Sequence, residues 1–266
     1  SLVSTALPDS YAVTVKRDES GKVTGIAIKQ PQGTMEFKRE PDYTAPISVD
    51  ELIAKAIEAA GGEDILRKHQ SETVTGDVDL INQGVKGEIT INRRSPDLSS
   101  SKITFEALGK KIGWAWDYFD GNAGAAATSF SPLEPMNASK VRDAKLQDAY
   151  PGLLAVRRLF KDFKITGVEK IDGDEAYITV LTPETGNPIT YYFSTSSFRL
   201  IREDLIQEVE GQPRTVSETH SDFKAVDGQQ VPFKIVQVLP SGGNLIITVM
   251  DVKFNVEITD SVFKGQ

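Results

Sequence analysis

Three Ser-x-x-Lys spacings occur in this chain, at Ser99–Lys102, Ser221–Lys224 and Ser261–Lys264. On a buried helix that spacing sets an amine against a hydroxyl and makes a nucleophile with its base. All three lie in stretches patterned as strand or tail, where the two side chains point to opposite or unrelated sides. The two histidines are isolated as well. His69 ends a helix, where an imidazolium suits the dipole, and His220 sits in a strand among Glu218, Ser221 and Asp222. No HExxH, G-x-S-x-G elbow or P-loop occurs, and two lone histidines far apart make a poor metal site. An Asp-Gly hairpin turn accounts for Asp172, Asp174 and Glu175 more simply than Ca²⁺ does. The expectation is a chain with no catalytic residue, no metal and no cofactor: not an enzyme in its own right.

What remains is apolar chemistry. Trp114, Trp116 and Tyr118 alternate along one stretch and share a strand face. They read either as a cavity wall that meets a hydrophobic ligand or as core packed against a helix. Leu153, Leu154, Leu159 and Phe160 lie in the run LLAVRRLF. That run reads as a helix, either a lid over a ligand or a permanent plug. Its Arg157 and Arg158 face solvent or phosphate groups.

These side chains need elements to hold them. Residues 11–17, 23–29 and 34–39 alternate as three short strands with turns at 18–22 and 30–33. Such a meander is marginal alone, so residues 1–46 read as an N-terminal β unit and linker, the tail of an upstream domain. Ser48, with Glu51 three places on, makes a capping box. Leu52, Ile53, Ala56, Ile57 and Ala60 then recur at helical spacing until Gly61-Gly62 stops them. From Thr73 the period becomes two. Strands follow over 74–118, residues 121–138 read as a weak strand and a loop, and 140–160 reads as two helical pieces broken at Pro151-Gly152. Seven further strands run from 163 to 255. Their turns fall at Asp172-Gly173, Thr185-Gly186-Asn187, Glu210-Gly211, Asp227-Gly228 and Ser241-Gly242-Gly243. The fold class is therefore mostly β with a few helices (α+β). Residues 47–266 form a curved antiparallel sheet, an open partial β-barrel of about eleven strands wrapped around helices.

Composition narrows the partners. The chain has 266 residues, a formal charge of -8 and a pI near 5.0, which argues against nucleic acid, since phosphate binding needs clustered Lys and Arg. No stretch supplies the roughly 18 apolar residues of a membrane helix. There is no cysteine, which excludes disulfides and thiolate sites. The chain opens at Ser1 without Met and reads as a mature or excised piece of something longer, any signal lying outside it.

The order of elements resembles the outer-membrane lipoprotein-sorting fold of the LolA/LolB-like carriers over about residues 49–263. The residues that carry it are the first helix ending in Gly-Gly, GEITINRRSPDL, WDYFDGNAGAA, YYFSTSSFRLIRE, VDGQQVPFKI and NVEITDSVF. The last is similar to a closing N-x-x-I-x-D-x-x-F motif. The resemblance implies a periplasmic or secreted protein of the bacterial envelope that holds a lipid or acylated lipoprotein between its sheet and its helices. It also implies a role for an arginine before the proline of an R-x-P strand end. Arg93 and Arg94 both stand near that place, and Arg94 is the match to R-S-P. The chain departs from the pattern after Asp120-Gly121, where Ala123–Ala127 replaces a Trp-bearing strand. Residues 8–40 resemble the β tail that follows penicillin-binding-type serine hydrolase domains, which implies a hydrolase domain upstream. Two functions follow: non-enzymatic binding of acyl chains in an apolar cavity of ~300–1,000 Å³, or an accessory domain of a hydrolase with no ligand of its own.

Overall fold

A computed structural model describes residues 11–39, 43–81, 83–209, 212–239 and 243–264. The turns expected at Glu210-Gly211 and Ser241-Gly242 lie outside the described residues. The chain divides into two compact units between Tyr43 and Thr44.

The first unit is a meander of β1 (Ala12–Arg17), β2 (Val23–Gln30) and β3 (Gly33–Lys38), antiparallel in that order. Asp18 sets the first turn: its carboxylate accepts from the Ser20 and Lys22 backbone N–H groups at 2.9 and 3.0 Å. The register places Val13 opposite Ile28 and Val15 opposite Ile26, and these face Met35 and Phe37 on β3. One face of the meander is therefore apolar, with Met35 and Phe37 about half exposed.

The second unit begins with α1 (Val49–Ala59). Ser48 caps it, its hydroxyl accepting from the Glu51 N–H at 3.2 Å, while the Glu51 carboxylate turns to Lys55. Only half of the expected capping box forms. The apolar stripe buries Leu52, Ile53 and Ala56. The helix stops where Gly61 takes φ +125° and comes so close to the Asp227-Gly228 turn that a Cβ would lie 2.5 Å from the Gly228 carbonyl oxygen. Only glycine combines that backbone angle with that approach. The short α2 (Glu63–Lys68) follows.

Then come β4 (Ser71–Leu80), β5 (Val85–Arg94), β6 (Leu98–Ala107), β7 (Lys110–Asp120), β8 (Gly124–Thr128) and β9 (Ser131–Pro135). The connection is α3 (Ala138–Gln147) and α4 (Gly152–Leu159). A second run follows: β10 (Phe160–Ile171), β11 (Asp174–Pro183), β12 (Ile189–Ser194), β13 (Leu200–Val209), β14 (Gln212–Val226), β15 (Gln229–Val238) and β16 (Asn244–Phe254). All thirteen strands join one antiparallel sheet in the order β10 to β16, then β4 to β9. Two meanders thus meet at a single seam, β16 against β4, with Leu245 opposite Leu80 and Phe254 opposite Glu72. The ends of the sheet do not meet, as expected of an open barrel.

Thirteen strands, rather than about eleven, arise because residues 124–135 form a hairpin instead of a weak strand and a loop. Its small side chains let β8 lie flat on β7, with Ala127 opposite Trp116. Phe160 also differs from expectation. It does not end a helix but opens β10, opposite Pro183, because its extended backbone suits the ladder better than another helical turn. The predicted hairpins at Asp172-Gly173 and Asp227-Gly228 are present, both residues of each at positive φ. Both edges are guarded against further pairing: β9 by Pro132 and Pro135, β10 by two register breaks.

The helices lie on one face. Leu52, Ile53 and Ala56 of α1 and Val156 of α4 pack with Leu181, Ile189, Phe193 and Leu205 of the sheet. A second cluster on the same face joins Val74, Val78 and Ile89 to Leu245, Ile247 and Val249. Among the described residues, no helix is long and apolar enough to cross a membrane.

Candidate ligand-binding cavity

Between the two clusters the helices do not fill the inner face. A cavity of about 260 Å³ remains. Ala56, Ala60 and Leu66 roof it from α1 and α2, and the corner between α3 and α4 closes one side with Tyr150, Pro151 and Leu153. Apolar side chains of the sheet, among them Leu200, Phe223 and Val231, continue the wall.

The floor is ionic. Strand alternation turns Glu72, Arg93, Glu203 and His220 inward, and all four line the cavity. Glu72 and Arg93 are register partners on β4 and β5, joined by Nη1 to Oε2 at 3.4 Å. His220 Nε2 lies 2.9 Å from Glu218 Oε1, and its Nδ1 lies 3.4 Å from the Leu200 carbonyl oxygen. Both neighbours are acceptors, so the ring is a donor on both sides, an imidazolium.

The surroundings set the charges. Burial alone would lower the His220 pKa, but the hydrogen bond and charge of Glu218, helped by Glu203, outweigh it and raise the value. Burial would raise Glu218, and His220 more than reverses that, holding the carboxyl below its ordinary value. Glu203 is pushed up to about 7, first by burial and then by the Glu218 charge. Burial raises Asp148 as well, against the opposing pull of Arg93 and a hydrogen bond from Ser99. Tyr150 is buried in the wall, and its hydroxyl has no hydrogen-bond partner among the described residues.

The carboxylates of Glu203 and Glu218 and the His220 ring offer ligand atoms within 4.8 Å of one another. The His220 ring nitrogens are already engaged by Glu218 and the Leu200 carbonyl, however, and Arg93 supplies a cation there. The arrangement is a charge-compensated polar floor. Among the described residues of its lining, no nucleophile stands beside a base.

The sequence-predicted residues do not gather around one space. Leu153 lines the cavity. Leu159 and Phe160 pack in the core beside α1. Leu154 is half-buried and belongs to neither. Trp114 and Trp116 open on the opposite face of the sheet, lining a separate trough, and Tyr118 lies tilted against Trp116 with ring centroids 5.2 Å apart. Arg94 faces that outer side too and is taken up by the chain's own tail. Its Nη1 donates to the Ile258 carbonyl at 2.9 Å, its Nη2 pairs with Asp260 at 2.5 Å, and its guanidinium lies over the Phe263 ring. The adjacent Arg93 is the one that reaches the cavity. His69 is also structural: fully buried, it stacks on Phe254 and bonds to Gln229 and Asp227.

Sequence reasoning missed Glu72, Glu203 and Tyr150, named Arg93 only as the alternative to Arg94, and named Glu218 only as a neighbour of His220. One signal was available. Glu72 precedes the inward Val74 by two places, and Arg93 follows the inward Ile91 by two, so each is a charge on an apolar strand face.

The open thirteen-stranded sheet with its helices on one face defines a LolA-like fold. The chain superposes on a LolA superfamily protein from Nitrosomonas europaea with a TM-score of 0.54 and 15% identity, over 82% of this chain and 98% of that one. A DUF1329 family protein from Desulfovibrio piger gives the same TM-score and identity, over 83% and 98%. No protein-family profile matches the chain, and no curated protein matches it.

Proposed function

We propose that the larger unit binds an amphiphilic ligand, a lipid or the acyl chain of a lipoprotein, in the cavity between α1, the α3–α4 corner and the inner face, without turning it over. The cavity itself carries this reading: an apolar roof and wall beside a polar floor fit a chain with a head group. The unpaired Tyr150 hydroxyl and the Glu203 carboxyl are the groups that would meet that head. The LolA-like fold and the resemblance of residues 49–263 to lipoprotein-sorting carriers support the same class, and with it a place in the cell envelope. At about 260 Å³ the space falls below the ~300–1,000 Å³ expected of small-molecule sites, so one chain is the expected load.

Native mass spectrometry of protein purified without detergent, with organic extraction of what comes along, tests this. Co-purified fatty acid, phospholipid or acylated peptide is the expected result. A clean mass, unchanged after incubation with lysophospholipid, fatty acid and a lipopeptide, would overturn it and favour an accessory domain without a ligand.

A further inference from the structure

The opposite face of β5 to β9 carries a second space that neither the core nor the cavity explains. On β7, Phe119 turns to the inner face and is fully buried, while Trp114 turns outward and is 40% exposed. Beside the Trp114 and Trp116 rings stand Ser100, Thr104, Gly113 and Ala127, all small, so the rings border a trough of about 990 Å³. Pro132 and Leu133 of β9 bound it on one side, Ser261 and Val262 of the C-terminal tail on the other. Asn92 and Arg93, adjacent in sequence, open onto the trough and the cavity respectively, so the two spaces are separated by the sheet.

The lining has a definite chemistry. It includes hydroxyls, the Asn92 amide, two lysines and no carboxylate, although the chain as a whole is acidic, at -8. Lys102 and Lys111 have no ion-pair partner among the described residues. Ser100 is only 3% exposed and faces this space, yet its hydroxyl makes no hydrogen bond among the described residues. Asn92 accepts from Thr73 through its Oδ1 at 2.9 Å, which leaves its N–H groups for an acceptor. Ser100 thus lies on the trough wall with its hydroxyl open to the trough, and Lys102 and Lys111 present exposed ammonium groups with no carboxylate in the lining.

We infer that this trough is a saccharide site selective for acidic sugars. The apolar C–H face of a pyranose ring stacks on an indole, its hydroxyls pair with Ser100, Asn92 and Thr104, and a carboxylate substituent meets Lys102 or Lys111. An acyl chain would make no use of the two ammonium groups and would set apolar surface against Asn92, Ser100 and Thr104, and two lysines are too few to hold a nucleic-acid backbone.

The chain has two tryptophans, and both line the trough, so intrinsic fluorescence reports on it alone. Titration of the full chain with tetragalacturonate should give a saturable emission change. The neutral maltotetraose should bind about tenfold more weakly, since it lacks the charge-assisted bonds. Trp116→Ala should abolish binding measured by calorimetry. Lys102→Gln, at an exposed position where the fold is not at stake, should weaken it about tenfold. No saturable change with tetragalacturonate up to about 10 mM, the weak limit for a specific site, would overturn the proposal. Equal affinity for the two saccharides, or full binding by Lys102→Gln, would overturn it as well. An emission change with phosphatidylglycerol vesicles and none with tetragalacturonate would overturn it and reassign the face to a membrane surface.

Discussion

Glu203 and Glu218 are directly opposed register partners on β13 and β14. Two carboxylates so placed repel when both are ionised, and His220 bonds to only one of them, at 2.9 Å from Glu218. The proton that Glu203 keeps up to about pH 7 is the other half of the compensation.

That arrangement makes stability depend on pH with a definite sign. The Glu203 carboxyl titrates near 7 in the fold against an ordinary 4.5. Its contribution is full below 4.5 and is lost as pH rises towards 7. Asp117, raised to about 6 mainly by burial, acts the same way, and His220, raised above 6.5, loses its contribution at still higher pH. Melting temperature should therefore fall from mildly acidic to mildly alkaline solution. Glu203→Gln should flatten the profile and stabilise the protein by about 1–3 kcal/mol near pH 8. An unchanged pH profile in that variant would refute the assignment.

The tail is expected to hold on through apolar burial more than through charge. Phe263 is 1% exposed under the Arg94 guanidinium. Phe263→Ala should cost about 3–5 kcal/mol in urea denaturation. Asp260→Ala removes only an exposed ion pair and should cost less than about 1 kcal/mol. The reverse order would show that the charge clamps the tail.

Gly61 should tolerate no side chain. Its Cβ would sit 2.5 Å from the Gly228 carbonyl at φ +125°, and Gly61→Ala is expected to cost about 1–3 kcal/mol. Gly152 opens α4 with nothing near its missing Cβ, and Gly152→Ala should be neutral or slightly stabilising. Equal effects in thermal melts would contradict the close approach.

Leu153→Trp should fill the cavity and lower the amount of extractable lipid several-fold, whereas Leu154→Trp, outside the cavity wall, should leave it unchanged. Equal loss in both variants would place the ligand elsewhere.

Much of the scaffold was legible. The helix from Ser48 to the Gly-Gly stop and the Asp-Gly hairpins follow from local rules that the fold leaves intact. The strip of Trp114, Trp116 and Tyr118 was correctly seen to share a face, but which face is a property of register. Ile89, Ile103 and Ala115 line up across β5, β6 and β7 on the inner side, which sends the aromatic strip outward. The second half of the hairpin at 124–135 was hidden because its Pro132 and Pro135 read as loop in isolation. The floor of the cavity was hidden for the opposite reason. Glu203, Glu218 and His220 look like ordinary solvent-facing residues until β13 and β14 pair.

The seam between β4 and β16 also sets the timing of synthesis. The middle of the sheet is joined by the first and last long strands of the unit, residues 72–80 against 245–254. As the chain leaves the ribosome, β4 to β9 emerge long before their neighbour exists, and β4 waits as an open edge while some 160 residues are added. Pairing so distant in sequence folds late. A nascent chain arrested before residue 244 should therefore expose β4 to chaperones and to other chains, and emergence of β16 is the step that closes the seam.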